Sequence, residues 1–478
     1  MQKKKVFLLA LISIAALFIV YAPHYNYPFP RHIDEWHNIE QSLKIGTALG
    51  KGTDFEYGFH IILFTLSKIV NLVLIYKFLP AIWATLSALT LFYVTYKTTN
   101  IFKIGVFAMI FFIFIKSNVN LGGLWFFTPL TFSIPFIFIY IYFFAEGIKR
   151  QNNKFTLISL LIMAFLVPIH SISVLFAVPF LTIYALINYK YILKEYKIFS
   201  LFVLIPLMGV IFYKIFSRVS YAQVIPNIID ALKFKYGWGV LELYNSPIQI
   251  YSLTAITLAV FGIFSIFLFV KEWKKFIMYL LWPVWVGFML LFYKLTGYSY
   301  LSPYQRNVYY LVISLPLLSA IGLYYFIEII KKMINNIYLS EKAKNIIKKI
   351  LEIIIISAVI ILTSRTYLYV ENNIALYRLV DNNSYKLLIY LKNLPAGNVV
   401  ASPNLAMATY AISLHQPIAA AFFNGNPQIL ADFYNSKTCA EKNSILEKYK
   451  AKYIISNSPI DCSWKEIFNK ENYYLYKN

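Results

Sequence analysis

The chain has 478 residues, of which 59% are hydrophobic and 14% charged, and its 44 Lys and Arg outnumber 21 Asp and Glu to give a formal charge of +23. Ordinary soluble domains carry about 25% charged residues, so the composition excludes a soluble enzyme, a disordered chain and a disulfide scaffold. The basic excess punctuates apolar runs and forms no RNA-type motif, so it reads as membrane topology and not as nucleic-acid binding.

In chain order, a basic start at residues 1–5 precedes an apolar run over 6–21. No small-residue cleavage site follows it cleanly, so it is expected to stay as a first transmembrane helix. Ten further span-like runs follow, near 76–96, 104–116, 128–146, 156–169, 171–189, 198–216, 251–270, 276–293, 308–330 and 350–367. The shorter ones must borrow flanking residues to reach bilayer length. The expected fold is an α-helical polytopic membrane protein of about eleven helices with a small C-terminal α/β domain.

The apolar stretch 58–74 is ambiguous. Its polar residues His60, Ser67, Lys68 and Asn71 recur near one helical face, which fits a helix lying at the membrane surface, and a span is the alternative. Leaving it out gathers 20 Lys and Arg into the short loops of one side, at 1–5, 97–103, 147–155, 189–197, 271–275 and 331–349. The positive-inside rule makes that side cytoplasmic. The N-terminus is then inside, and the first loop (22–75) and the C-terminal domain are extracytoplasmic in the cell membrane.

Composition changes near residue 372, so the chain divides into a membrane part, 1–370, and a polar domain, 371–478. In the latter, helices are expected over 381–394, 404–414 and 438–449. Strands are expected over 398–401, 417–422 and 453–456, with one more near 473–476. Cys439 and Cys462 are the only cysteines. They are candidates for a disulfide in an oxidising compartment, with two free buried thiols as the equal alternative.

The acidic residues carry the main clue. The first 370 residues hold 13 of them, and five (Asp34, Glu35, Glu40, Asp54 and Glu56) fall within 23 residues of the first loop. Carboxylates are costly near a bilayer and are usually functional where retained. Four of six histidines share this loop: His24, His32, His37 and His60. In Arg31-His32-Ile33-Asp34-Glu35-Trp36-His37 one carboxylate can take a proton from an acceptor hydroxyl. Alternatively the carboxylates, with His32 or His37, can hold a divalent cation such as Mg or Mn. Asp54 is balanced between a helix cap and a site residue, and Glu56 beside it could face Asp34. Arg306 opens the tenth span, where it either grips a lipid phosphate through paired donors or snorkels. His170, between two spans, reads by default as a satisfied buried histidine. The aromatics of 217–249 read as an interfacial belt.

Together these features resemble the GT-C superfamily of polyprenyl-phosphate-dependent membrane glycosyltransferases. The matching residues are Asp34-Glu35 after one span, Tyr57-Gly58-Phe59-His60, the Arg306-led late span and the start of the α/β domain over 387–399. The layout is similar to archaeal oligosaccharyltransferase subunits, but their Trp-Trp-Asp signature is missing, which speaks against modification of protein sequons. The Asp-Glu pair looks more like protein O-mannosyltransferases and lipid A aminoarabinose transferases. The richness in Lys, Ile, Asn and Tyr looks archaeal.

The resemblance implies catalysis by Asp34, with Glu35 as neighbour, and a sugar donor on a polyprenyl phosphate bound by Arg306. Glu56, His60 and Arg31 complete the expected substrate-binding set, and a metal at His32 and His37 is optional. The implied partners are the lipid-linked donor, membrane lipids and a glycan or protein acceptor, with no nucleic acid. A transporter or flippase of lipid-linked sugars is the first rival, disfavoured because the spans lack the mid-membrane ionisable path transport needs. A non-catalytic envelope scaffold is the second.

Overall fold

The computed structural model describes residues 2–47, 56–118, 121–200, 246–368, 378–421 and 425–478, with scattered residues between 204 and 234. The expected span 198–216 and the segment 217–249 lie largely outside the described residues, and Asp54 lies wholly outside them.

Among the described residues, six helices are long and apolar enough to cross a membrane: Lys3–His24, Leu79–Thr99, Pro129–Lys149, Asn153–His170, Trp273–Thr296 and Tyr304–Asn335. Shorter apolar helices are Tyr57–Ser67, Phe102–Ile113, Ile172–Ile187 and Leu253–Phe269. The helix Glu341–Leu368 contains the expected run 350–367. The chain is thus a multi-pass membrane protein with a small C-terminal sheet. The segment 58–74 is two helices, Tyr57–Ser67 and Leu72–Ile75, and not one. Eleven residues rise about 16 Å, half of a hydrocarbon core of about 30 Å. The break falls at residues 68–71, so Lys68 and Asn71 do not extend the polar face of His60 and Ser67.

The chain forms two compact units, each drawn from separate stretches. The first comprises Met1–Pro23, Gly52–Phe59 and Phe78–Glu371. Its centre is made by Pro129–Lys149 and Tyr304–Asn335, whose most apolar windows are 83% and 78% buried, whereas Lys3–His24 is only 11% buried and lies at the rim. Leu253–Phe269 and Tyr304–Asn335 pack backbone to backbone at Gly262 and Gly322. Two short strands, β1 (Lys233–Phe234) and β2 (Ser299–Tyr300), pair antiparallel.

The second unit comprises His24–Lys51, His60–Lys77 and Asn372–Asn478. Among the described residues its strands are β3 (Asn398–Val400), β4 (Gln416–Pro417), β5 (Ala451–Ser456), β6 (Lys465–Lys470) and β7 (Tyr473–Lys477). They run in the order β4-β3-β5-β7-β6, with β3 parallel to β4 and β5, and β7 antiparallel to β5 and β6. The strand expected over 417–422 is only the two residues of β4. The charged edge strand β6 and the helix Gln428–Asn435 were not anticipated. The helix Pro403–Ser413 packs against both Ile33–Lys44 and Asn382–Lys392, and from Leu405 onward it is buried throughout. Part of the first loop is therefore core structure of the α/β unit. Cys439 and Cys462 form a disulfide with Cα atoms 5.8 Å apart.

Candidate active site

In the second unit, the helix Ile33–Lys44 starts at the Asp-Glu pair. His32 is its N-cap, with extended backbone (φ −110°, ψ 145°), and His32 Nδ1 accepts the Asp34 amide at 3.0 Å. Glu35, three residues on, turns back so that Oε2 accepts the amides of Arg31 at 2.8 Å and His32 at 3.0 Å. This is a capping box with histidine where serine or threonine is usual. It satisfies helix-end amides and sets a negative charge at the positive end of the helix dipole. Glu35 is completely buried. Burial, and then the charge of Glu35, push the Tyr76 hydroxyl well above the ordinary phenol range.

Asp34 is placed differently. Its side chain is 30% exposed, and Oδ2 lies 3.5 Å from His32 Nδ1. That nitrogen's lone pair already accepts the Asp34 amide, so it has no proton to offer the carboxylate. The pair thus splits by environment: Glu35 holds the helix start, and Asp34 is the carboxylate that solvent can reach.

Further along, Asn38 Oδ1 lies 2.9 Å from His60 Nε2, and the His37 and His60 rings meet edge to face at 6.3 Å. His60, expected to bind substrate, is 2% exposed. Lys44 Nζ donates to Glu40 at 2.5 Å and sits 4.8 Å from the Tyr410 ring centroid, with both charged residues buried. The Arg31 and Arg378 guanidinium groups lie 5.8 and 5.6 Å from the Tyr27 ring centroid. Tyr27 Oη accepts the Val380 amide at 3.3 Å. Burial raises the Tyr27 hydroxyl pKa, outweighing the opposing pull of that amide and both arginines.

In the first unit, Arg306 occupies the first turn of Tyr304–Asn335, is partly exposed, and donates through Nη1 to Leu121 O at 2.6 Å. Asn307 Nδ2 donates to Ser299 Oγ at 3.0 Å and to Ser302 O at 3.2 Å, and Ser302 Oγ donates to Asn307 Oδ1, which pins the segment entering this helix. Glu56 Oε1 lies 3.9 Å from His170 Nε2. His170 is buried as expected, with Nδ1 2.7 Å from Ser173 Oγ.

Within the second unit the fold brings Arg31, His32, Asp34, Glu35, His37 and His60 together, and within the first it brings Glu56 to His170. Asn38, Ser173 and Tyr310 also join these clusters, and no motif in the sequence marked them. Among the described residues no group of three or more His, Cys, Asp or Glu is placed to hold a metal ion. His32 serves as a cap, and His37 has no such set around it. The donor set a divalent cation needs is not assembled among these residues.

No protein-family model and no curated protein matches the chain. Solved structures do. The oligosaccharyltransferase of Archaeoglobus fulgidus in its apo form is 11% identical, with a TM-score of 0.60, over 95% of this chain and 69% of that one. The same enzyme in complex with an inhibitory peptide and a dolichol-phosphate gives 12% identity and a TM-score of 0.57 over 95% and 70% of the chains. It has also been crystallised with Zn and sulfate. ArnT from Cupriavidus metallidurans in the apo state is 11% identical, with a TM-score of 0.59, over 99% of this chain and 98% of that one. The chain is thus similar in fold to the Archaeoglobus oligosaccharyltransferase and to ArnT, the resemblance expected from its sequence.

Proposed function

We propose that this chain is a membrane glycosyltransferase that moves a sugar from a polyprenyl-phosphate-linked donor to an extracytoplasmic acceptor hydroxyl. The acceptor oxygen attacks the sugar's anomeric carbon, and its proton passes to the Asp34 carboxylate. The bond from that carbon to the phosphate oxygen breaks on the opposite face, inverting the centre. The phosphate leaves with the electron pair, and the Arg306 guanidinium meets its growing charge through donors suited to phosphate.

The observation that carries this reading is the split between the two neighbouring acids: Glu35 is buried in a cap, while Asp34 is 30% exposed at the same helix start. The fold supports it, as does the dolichol-phosphate named in the complex of the Archaeoglobus enzyme. The distribution of basic residues supports an inside N-terminus, with the first loop and the 371–478 domain outside. In the same reading Glu56 and Arg31 serve substrate binding, and His60 serves it indirectly by bracing Asn38.

The test uses membranes containing the full chain and a radiolabelled sugar on dolichyl phosphate. Asp34→Asn abolishes label transfer to acceptor while the protein stays folded. Transfer at the unmutated rate in that variant removes Asp34 as the base. Label that crosses the bilayer still attached to lipid, with none transferred, supports the flippase instead.

A further inference from the structure

The helix Tyr57–Ser67 begins against another backbone. A Cβ on Gly58 would lie 2.9 Å from Pro168 C and O, so only glycine permits this approach. The approach sets Glu56 beside His170, two residues beyond Pro168, with Oε1 3.9 Å from Nε2. The Glu56 side chain is 32% exposed and that of His170 only 5%. From there a polar chain runs inward. His170 Nδ1 is 2.7 Å from Ser173 Oγ, and Ser173 Oγ is 3.1 Å from Tyr310 Oη. Tyr140 Oη donates to Ser173 O at 2.9 Å, which fixes the serine's own backbone. His170, Ser173, Tyr140 and Tyr310 are all buried.

The chain has one consistent sense. At 3.9 Å the Glu56 carboxylate is beyond hydrogen-bond reach of Nε2, but its negative charge favours the tautomer that carries the proton on that nitrogen. Nδ1 then accepts the Ser173 hydroxyl, and Ser173 Oγ accepts the Tyr310 hydroxyl. Tyr310 lies four residues after Arg306 on Tyr304–Asn335, one turn along the same helical face. The guanidinium is itself tethered through Nη1 to Leu121 O. An arginine so tethered aims its remaining donors in a set direction only if the turn beneath it is fixed.

We propose that His170 is a positioning residue for Arg306. Through Ser173 and Tyr310 it fixes the helical turn that carries the guanidinium, the contact to Ser173 orients the imidazole, and the nearby Glu56 charge favours its tautomer. The inference rests on the reading of Arg306 as the group that meets the donor's phosphate. Buried polar chains of this kind specify one arrangement when every member is satisfied, and here the arrangement specified is the aim of a cation.

The test is a double-mutant cycle on purified full-length protein in nanodiscs, with dolichyl phosphate as the probe and its Kd as the readout. Arg306→Lys and His170→Ala each weaken binding about ten-fold, and the double variant is weakened little beyond either, since both remove one coupled device. His170→Asn, which keeps a polar atom near the position of Nδ1, recovers part of the loss. Should His170→Ala fold poorly, Ser173→Ala takes its place in the cycle with the same non-additivity expected. An unchanged Kd in His170→Ala beside a weakened Arg306→Lys overturns this inference alone. A double variant weakened by the product of the two single losses overturns it as well, because His170 then acts apart from Arg306. An unchanged Kd in Arg306→Lys overturns the phosphate reading and this inference with it.

Discussion

Asp34 and Glu35 are adjacent in sequence and chemically alike, and mutation should separate them completely. In Glu35→Ala, the amides of Arg31 and His32 lose the acceptor they reach at 2.8 and 3.0 Å. An unmet buried donor costs about 1–3 kcal/mol, and losing the negative charge at the helix start adds about 0.3–1 kcal/mol. The expected loss is about 4 kcal/mol, a large share of a total stability of about 5–15 kcal/mol. Glu35→Gln keeps an oxygen at the capping position and should lose only about 1 kcal/mol. Asp34→Asn keeps the shape of a side chain that faces a nitrogen 3.5 Å away without a proton to give. It should lose about 1 kcal/mol or less. The assay is thermal unfolding of the purified full chain beside sugar transfer by the same preparations. Glu35→Ala should unfold early, Glu35→Gln should unfold late and transfer well, and Asp34→Asn should unfold late and transfer nothing. An Ala variant as stable as the Gln variant would refute the capping argument.

Other consequences are as direct. A Cβ at Gly322 would lie 2.0 Å from Leu258 O, and one at Gly262 2.0 Å from Leu318 O. Alanine gains about 1 kcal/mol in helix propensity over glycine, yet here either Gly→Ala change should lower the unfolding temperature, and a rise in Gly322→Ala would show that the helices are not in contact there. Glu40→Gln or Lys44→Met breaks a buried ion pair and should cost about 3–5 kcal/mol, whereas Glu40→Leu with Lys44→Met should recover most of that in chemical denaturation. A double variant no more stable than the singles would contradict this. Burial alone would raise the Asp381 carboxyl, but the Ser384 amide and hydroxyl, the Tyr473 hydroxyl and the Asn383 amide hold it below the usual range. Its stabilisation is therefore present above an unfolded pKa of about 3.9 and is lost as pH falls through the lower folded value. Asp381→Asn should flatten the acid limb of the unfolding profile, and an unaltered acid limb would mean that another group governs it.

The apolar runs were legible because hydropathy over bilayer length is a strong signal, and nearly every expected run within the described residues appears as a helix. Edge structure was not. β6 reads Lys-Glu-Ile-Phe-Asn-Lys, whose charged ends conceal a strand that packs only its middle. The Asp-Glu pair stood out, but its division of labour did not, because a capping box is sought as serine or threonine three residues before glutamate and here the cap is His32. Glu40 and Lys44 have ordinary helix-pair spacing, and nothing local announces that both are buried against the helix Pro403–Ser413. Residues some 370 positions apart supply that cover, and single-sequence patterns do not reach so far.

The composition of the second unit has a consequence for biosynthesis. The helix Ile33–Lys44 leaves the ribosome more than 350 residues before Pro403–Ser413, the helix it is built against. At roughly 5–20 residues per second, that leaves it waiting for about 20–70 seconds. During that wait Lys44 lacks the Tyr410 ring that covers it in the finished fold, and the salt link Glu40–Lys44 is wet. Nascent chains halted before residue 372 should therefore keep a protease-sensitive first loop, and completion of the last hundred residues should seal it.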